Sequence, residues 1–127
     1  MDRGGRATLT TLVALKVRRE RTIRAALALL EQREAALLAD KTALLDEQQA
    51  LWNAWRTRIA CDGVHDHISL RMLKHQLANY HHRNQTLIDC LVRVDAQCTE
   101  LLLERDQQRA LLRQALIDHE KLKTLLE

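Results

Sequence analysis

Cys61-Asp62-Gly63-Val64-His65-Asp66-His67 is the only credible break in a chain that otherwise reads as uninterrupted helix. Asp62-Gly63 is a turn signal, and Asp66 or Ser69 is placed to cap a following helix by accepting its orphan amide hydrogens. Elsewhere the chain has almost nothing to turn with: no Pro, and 3 Gly of which two stand at positions 4 and 5. Leu, Ala, Arg, Glu and Gln dominate, the residues that lose least on entering a helix.

On either side of the break lies a periodic arm. In the first, residues 9–60, Leu9, Ile23, Leu30, Leu37, Leu44 and Leu51 recur every seven residues, with Lys16 breaking the series. Three positions further on stand Leu12, Ala26 and Ala54, but also Arg19, Arg33, Asp40 and Glu47, a mediocre second row. Leu27, Leu38, Leu45, Trp52, Trp55 and Ile59 widen the apolar face instead, as on a helix offering a broad surface. The second arm, residues 68–126, is cleaner. Alternating steps of four and three from Leu73 reach Leu126, and twelve of those sixteen positions are apolar or aromatic; Asn84, Arg105, Gln108 and His119 interrupt. A heptad sustained this long predicts a left-handed supercoil, its polar members setting the register.

Neither arm can bury its stripe alone, and a short connection favours antiparallel neighbours. The expected fold is therefore all-α, a two-helix antiparallel coiled-coil hairpin: a flexible N-terminus 1–8, helix one 9–60, a turn 61–67 and helix two 68–126, one extended domain with both ends together. At about 1.5 Å per residue each arm would make a rod some 80 Å long. The rival is one uninterrupted helix dimerising in parallel, since an isolated Gly costs a helix only about 1 kcal/mol.

Composition narrows the function classes. No run approaches the ~20 apolar residues needed to cross a bilayer, and no apolar leader opens the chain, so a soluble cytoplasmic protein without direct membrane insertion is expected. Cys61, Cys90 and Cys98 form no short-spaced metal pair and suit a reducing compartment. His65, His67, His75, His81 and His82 lack the helical zinc-hydrolase spacing and read as solvated or locally bonded side chains. With no phosphate loop, no argued nucleophile and no interior to enclose a substrate, the chain reads as non-enzymatic, without cofactor or metal.

Two groups of residues stand out as binding candidates. Residues 1–24 hold seven Lys/Arg against Asp2 and Glu20, with Lys16, Arg18, Arg19, Arg21 and Arg24 inside nine positions. They spread around the helix, and no basic surface or nucleic-acid motif accompanies them, so an acidic protein collar suits them better than nucleic acid. Near the turn, Trp52 and Trp55 cannot both sink into a seam one side chain deep. They either pack over Tyr80, Leu77 and Leu73 or present an aromatic patch, and one ring in with one ring out satisfies both. Gln48, Trp52, Trp55, Arg56, Ile59, Leu73, Gln76, Leu77 and Tyr80 make up that candidate patch.

The Arg-rich start Leu15-Lys16-Val17-Arg18-Arg19-Glu20-Arg21, the Ala/Leu/Gln/Glu-rich first arm, the stretch Leu51-Trp52-Asn53-Ala54-Trp55, and Gln48 and Tyr80 facing each other across the turn-proximal half resemble one family. It is that of the small central-stalk proteins of bacterial type III export machines, the virulence-associated members more than the flagellar ones. The resemblance covers nearly the full length. It implies a coiled-coil coupler, peripheral at the inner-membrane export apparatus, whose paired ends enter the hexameric export ATPase and whose turn-proximal half meets the cytoplasmic domain of the export gate. Some members also bind secretion chaperones. Carried over, Lys16, Arg18, Arg19, Arg21 and Arg24 would face the ATPase, and Gln48, Trp52, Trp55, Arg56 and Tyr80 the gate. A helical secretion chaperone or generic coiled-coil adaptor is the competing expectation, and a nucleic-acid-associated coiled coil the third.

Overall fold

Asp66 starts the second helix. Its Oδ1 accepts the Ser69 amide at 2.7 Å, and its carbonyl accepts the Leu70 amide at 3.0 Å. That is an N-cap: a short carboxylate satisfies an amide hydrogen that the first helical turn leaves without a partner. Of the two capping residues expected, Asp66 takes the role. The computed structural model of the protein describes residues 3–61 and 66–127. In it α1 spans Arg3–Cys61 and α2 spans His67–Leu126, and no strand occurs among the described residues. The turn signal Asp62-Gly63 lies outside the described residues.

Helix α1 starts before the expected Leu9: residues 3–8, expected to be flexible, are helical. Gly4 and Gly5 cost about 1 kcal/mol each relative to Ala, but they leave the hydrogen-bond ladder intact. The Thr8, Thr10 and Thr11 hydroxyls turn back onto the carbonyls of Gly4, Arg6 and Ala7, so they do not compete for the helix's own amides.

The two helices pack against each other as an antiparallel coiled-coil hairpin. The chain falls into two units, Met1–Ala35 with Thr99–Glu127, and Ala36–Cys98. In the first, Ile23, Leu30 and Ala115 are buried, and Lys16 pairs with Asp118 at 3.6 Å, Glu20 with His119 at 2.7 Å and Glu34 with Arg105 at 3.3 Å. Partner numbers on α2 run backwards as those on α1 advance from Glu20 to Glu34, so the helices are antiparallel. In the second unit Leu87 and Val94 are buried, and Lys41 pairs with Asp95 at 2.9 Å, Glu47 with Arg83 at 3.2 Å and Gln48 with Asn84 at 3.1 Å, again in antiparallel order.

On α2 the seam follows the expected four–three series, with every member from Leu73 onward buried or half-buried except Leu77. On α1 the first row holds from Leu9 to Leu51, with Lys16 drawn into it, but the second row is not three residues further on. It lies four further on, at Val13, Glu20, Leu27, Glu34, Lys41, Gln48 and Trp55, all half-buried, whereas Leu12, Arg19, Arg33, Asp40, Glu47 and Ala54 are exposed. Four of these seven are polar, which hides the row from any count of apolar residues. Glu20, Glu34 and Gln48 meet His119, Arg105 and Asn84, three of the four polar interruptions of α2.

These pairs fix the register. Sliding α2 by one heptad would set Glu34 against Cys98 or Leu112 and leave a half-buried carboxylate without its guanidinium, a loss that apolar packing does not replace. Arg105 keeps a further approach to Asp106, 3.9 Å from Nε to Oδ1, too long for a hydrogen bond. The Asp95 carboxylate, by hydrogen bond first and charge second, raises the pKa of the Lys41 ammonium.

Leu30→Ala and Leu87→Ala, each emptying a buried layer, should each lower stability in urea unfolding by about 2–4 kcal/mol. Leu103→Ala, at a residue 60% exposed, should change it by less than about 0.5 kcal/mol. A double-mutant cycle on Glu34 and Arg105 should return a coupling on the order of 1 kcal/mol, and zero coupling would remove the pair from the register argument.

Candidate functional site

In the unit Ala36–Cys98 the aromatic side chains form a wedge. Trp52 and Trp55 are three residues apart on α1, so their side chains leave the helix on neighbouring but distinct bearings. Trp55 is in the seam row, half-buried, and stacks on Tyr80 with ring centroids 5.4 Å apart and planes at 21°. Trp52 stands one residue beyond Leu51, 45% exposed, and meets the same Tyr80 at 6.4 Å and 48°. Tyr80 in turn lies edge-on to His81 at 5.7 Å. One tyrosine therefore holds two tryptophans, and each such pair adds about 0.5–1.5 kcal/mol beyond the area it buries.

Two shallow grooves share Tyr80 and no other residue. One, of about 360 Å³, is lined by Leu51, Ala54, Trp55, Arg58, Gln76, Asn79, Tyr80 and Arg83. The other, of about 570 Å³, is lined by Leu45, Asp46, Gln48, Gln49, Trp52, Tyr80 and Asn84. The expected single patch is thus divided. Gln48, Trp52 and Tyr80 come together in one groove, Trp55, Gln76 and Tyr80 in the other, and Arg56, though exposed, lines neither. Gln48 is not a free amide, because its Nε2 donates to Asn84 Oδ1. In the first groove Gln76 Oε1 is buried with no hydrogen-bond partner. Arg58, Asn79 and Arg83 line that groove but were not among the expected site residues. They stand outside the apolar periodicity, and only the packing of α1 on α2 gathers them.

The basic candidates belong to the other unit. Arg18, Arg19, Arg21 and Arg24 are exposed and make no ion pair among the described residues. Lys16 differs from them: half-buried and ion-paired with Asp118, it is a seam residue as much as a surface charge. Glu20, the acid within this basic run, is turned inward, its carboxylate accepting from His119 Nδ1. The outward face of the segment is correspondingly more basic than its composition.

Among the described residues no group of three or more His, Cys, Asp or Glu side chains is gathered closely enough to hold a metal ion. Cys90 and Cys98 are half-buried free thiols. No helix formed by the described residues is long and apolar enough to cross a membrane.

The wedge makes unequal demands on its tryptophans. Trp55→Ala should destabilise the protein by about 2 kcal/mol, below the cost of emptying a fully buried tryptophan site, whereas Trp52→Ala should cost under about 1 kcal/mol. Urea unfolding followed by far-UV circular dichroism decides between this order and its reverse. Compared with protein-family models, with curated proteins and with solved structures, the chain matches none.

Proposed function

We propose that the protein is the central stalk of a bacterial type III protein-export machine, binding the hexameric export ATPase through the unit that holds residues 3–35 and 99–127 and the export gate through the wedge of the other unit. The observation that carries the proposal is the pairing of the Arg-rich segment of α1 with the last turns of α2, with four guanidinium groups left facing outward. Arginine on a stiff helical pair suits a ring lined with carboxylates: the planar fork binds them two oxygens at a time, and a packed helix pair holds each group in position. The second surface is aromatic and only partly charged, with Trp52 exposed and anchored by Tyr80, the composition of a protein-binding hot spot. A coupler of this kind has no chemistry of its own to perform. It transmits the position of one partner to the other, which requires stiffness and two faces.

ATP turnover of the export ATPase, measured with and without the protein and with light scattering to report complex mass, tests the proposal. Stimulated turnover with substoichiometric protein per ring is expected. Arg18→Glu with Arg21→Glu should weaken the complex about tenfold or more at low salt, and the effect should shrink as salt screens the charges. Trp52→Ala should abolish gate binding with helicity retained. A folded hairpin that neither binds nor stimulates the ATPase would transfer the assignment to a secretion chaperone or adaptor.

A further inference from the structure

The groove beside Trp55 holds two features that the hairpin itself does not use. The first is Gln76 Oε1, buried and without a hydrogen-bond partner. A buried acceptor left unsatisfied costs a fold free energy that hydrocarbon of the same shape would not. The second is a pair of arginines in a lining that contains no carboxylate. α1 supplies Leu51 to Arg58 and α2 supplies Gln76 to Arg83, each at steps of three, four and seven, and the arginines are the charged members. Both are exposed. Arg83 donates to Glu47, outside the groove, through one of its five N–H groups, and the others remain for a further acceptor. Arg58 stands on one wall and Arg83 on the other. Seven residues, about 10 Å of helix, separate Arg58 from Leu51. The antiparallel run of α2, fixed by Gln48 with Asn84 and Trp55 with Tyr80, sets Arg83 at the Leu51 end.

We infer that this groove binds an acidic peptide segment of a partner protein in extended conformation. Arg58 and Arg83 take two carboxylates three residues apart, and Gln76 Oε1 accepts a backbone amide hydrogen. Guanidinium forks select carboxylates and phosphates. The orphan acceptor separates the two, because a phosphodiester has no hydrogen to give and almost every peptide unit has one. A helical ligand keeps its amide hydrogens for its own ladder, so the bound segment is extended. Such a chain advances about 3.3 Å per residue and turns successive side chains to opposite sides. Three residues therefore span about 10 Å and send the two carboxylates to opposite walls, where the arginines stand. Between them Ala54 and the stacked rings of Trp55 and Tyr80 offer apolar contact to an intervening side chain. The groove, about 360 Å³, has the size of a short-segment site. The inference names the ligand chemistry of one half of the wedge, and it rests on the export reading only for which protein supplies the segment.

Tryptophan emission of the full chain tests it with capped peptides Ala-Glu-X-X-Glu-Ala, X being Ala, Leu or Ser. Trp52→Phe leaves Trp55 as the one tryptophan, so the signal reports this groove. At low ionic strength at least one peptide should saturate the emission change with a Kd at or below about 1 mM. Its counterpart with Gln for both Glu should bind about tenfold more weakly or worse. In the same background Arg58→Gln and Arg83→Gln should each weaken binding about fivefold or more, with helicity unchanged. Arg109→Gln, an equal loss of charge on an exposed residue of the other unit, should leave it as it was. Gln76→Leu should move two readouts in opposite directions: the urea midpoint of the free protein rises as the orphan acceptor goes, and peptide affinity falls. No saturation by any of the peptides would overturn the inference, as would equal affinity for the Glu and Gln forms or indifference to both arginine variants. Tighter binding of a short oligothymidylate would overturn it in favour of nucleic acid. A Q76L protein that binds as tightly as its parent would overturn the extended backbone contact. The peptides involve no export protein, so acidic-peptide binding without gate binding removes the export assignment alone, and the reverse removes the groove alone.

Discussion

Everything in this molecule depends on polar residues that meet inside the seam. Few side chains are buried in either unit, and two leucine rows alone would pack almost as well when slid by a heptad. Glu20 with His119, Glu34 with Arg105 and Gln48 with Asn84 remove that freedom. Each pair sets against each other two groups that would be costly to bury singly. Such pairs add little net stability. Their contribution is specificity, because every shifted register leaves at least one of them facing a hydrocarbon or a thiol.

The register in turn decides which side chains become surfaces. With Gln48 opposite Asn84, Tyr80 falls between Trp52 and Trp55 and is contacted by both, and two grooves open on either side of its ring. With Glu20 turned toward His119, the acid that would have neutralised part of the Arg-rich segment is withdrawn from the surface. The seam's polar pairs therefore shape both candidate binding surfaces without belonging to either.

The exposed row Leu38, Leu45, Trp52 and Ile59 follows from the same geometry. Once Leu37, Leu44 and Leu51 face α2, the residues one step further around the helix must face away from its centre. Apolar residues there are only partly covered by the hairpin itself, Trp52 through its contact with Tyr80, and each keeps about half of its surface exposed.

By itself the sequence determined the elements: two helices, their antiparallel pairing, a cap at Asp66 or Ser69 and the α2 seam. These follow from residue-local properties, namely the scarcity of Gly and Pro, helix propensity and a 3.5-residue apolar period. It also marked Trp52, Trp55 and Tyr80 and the arginines of residues 18–24 as unusual, because their chemistry is visible one residue at a time. The tertiary structure alone decided the second seam row of α1. Val13, Leu27 and Trp55 share that row with Glu20, Glu34, Lys41 and Gln48, and a charged residue belongs in a seam only when its partner, more than thirty positions away, is opposite. Whether a polar residue is buried depends on what faces it, and that lies in the pairing of the two helices.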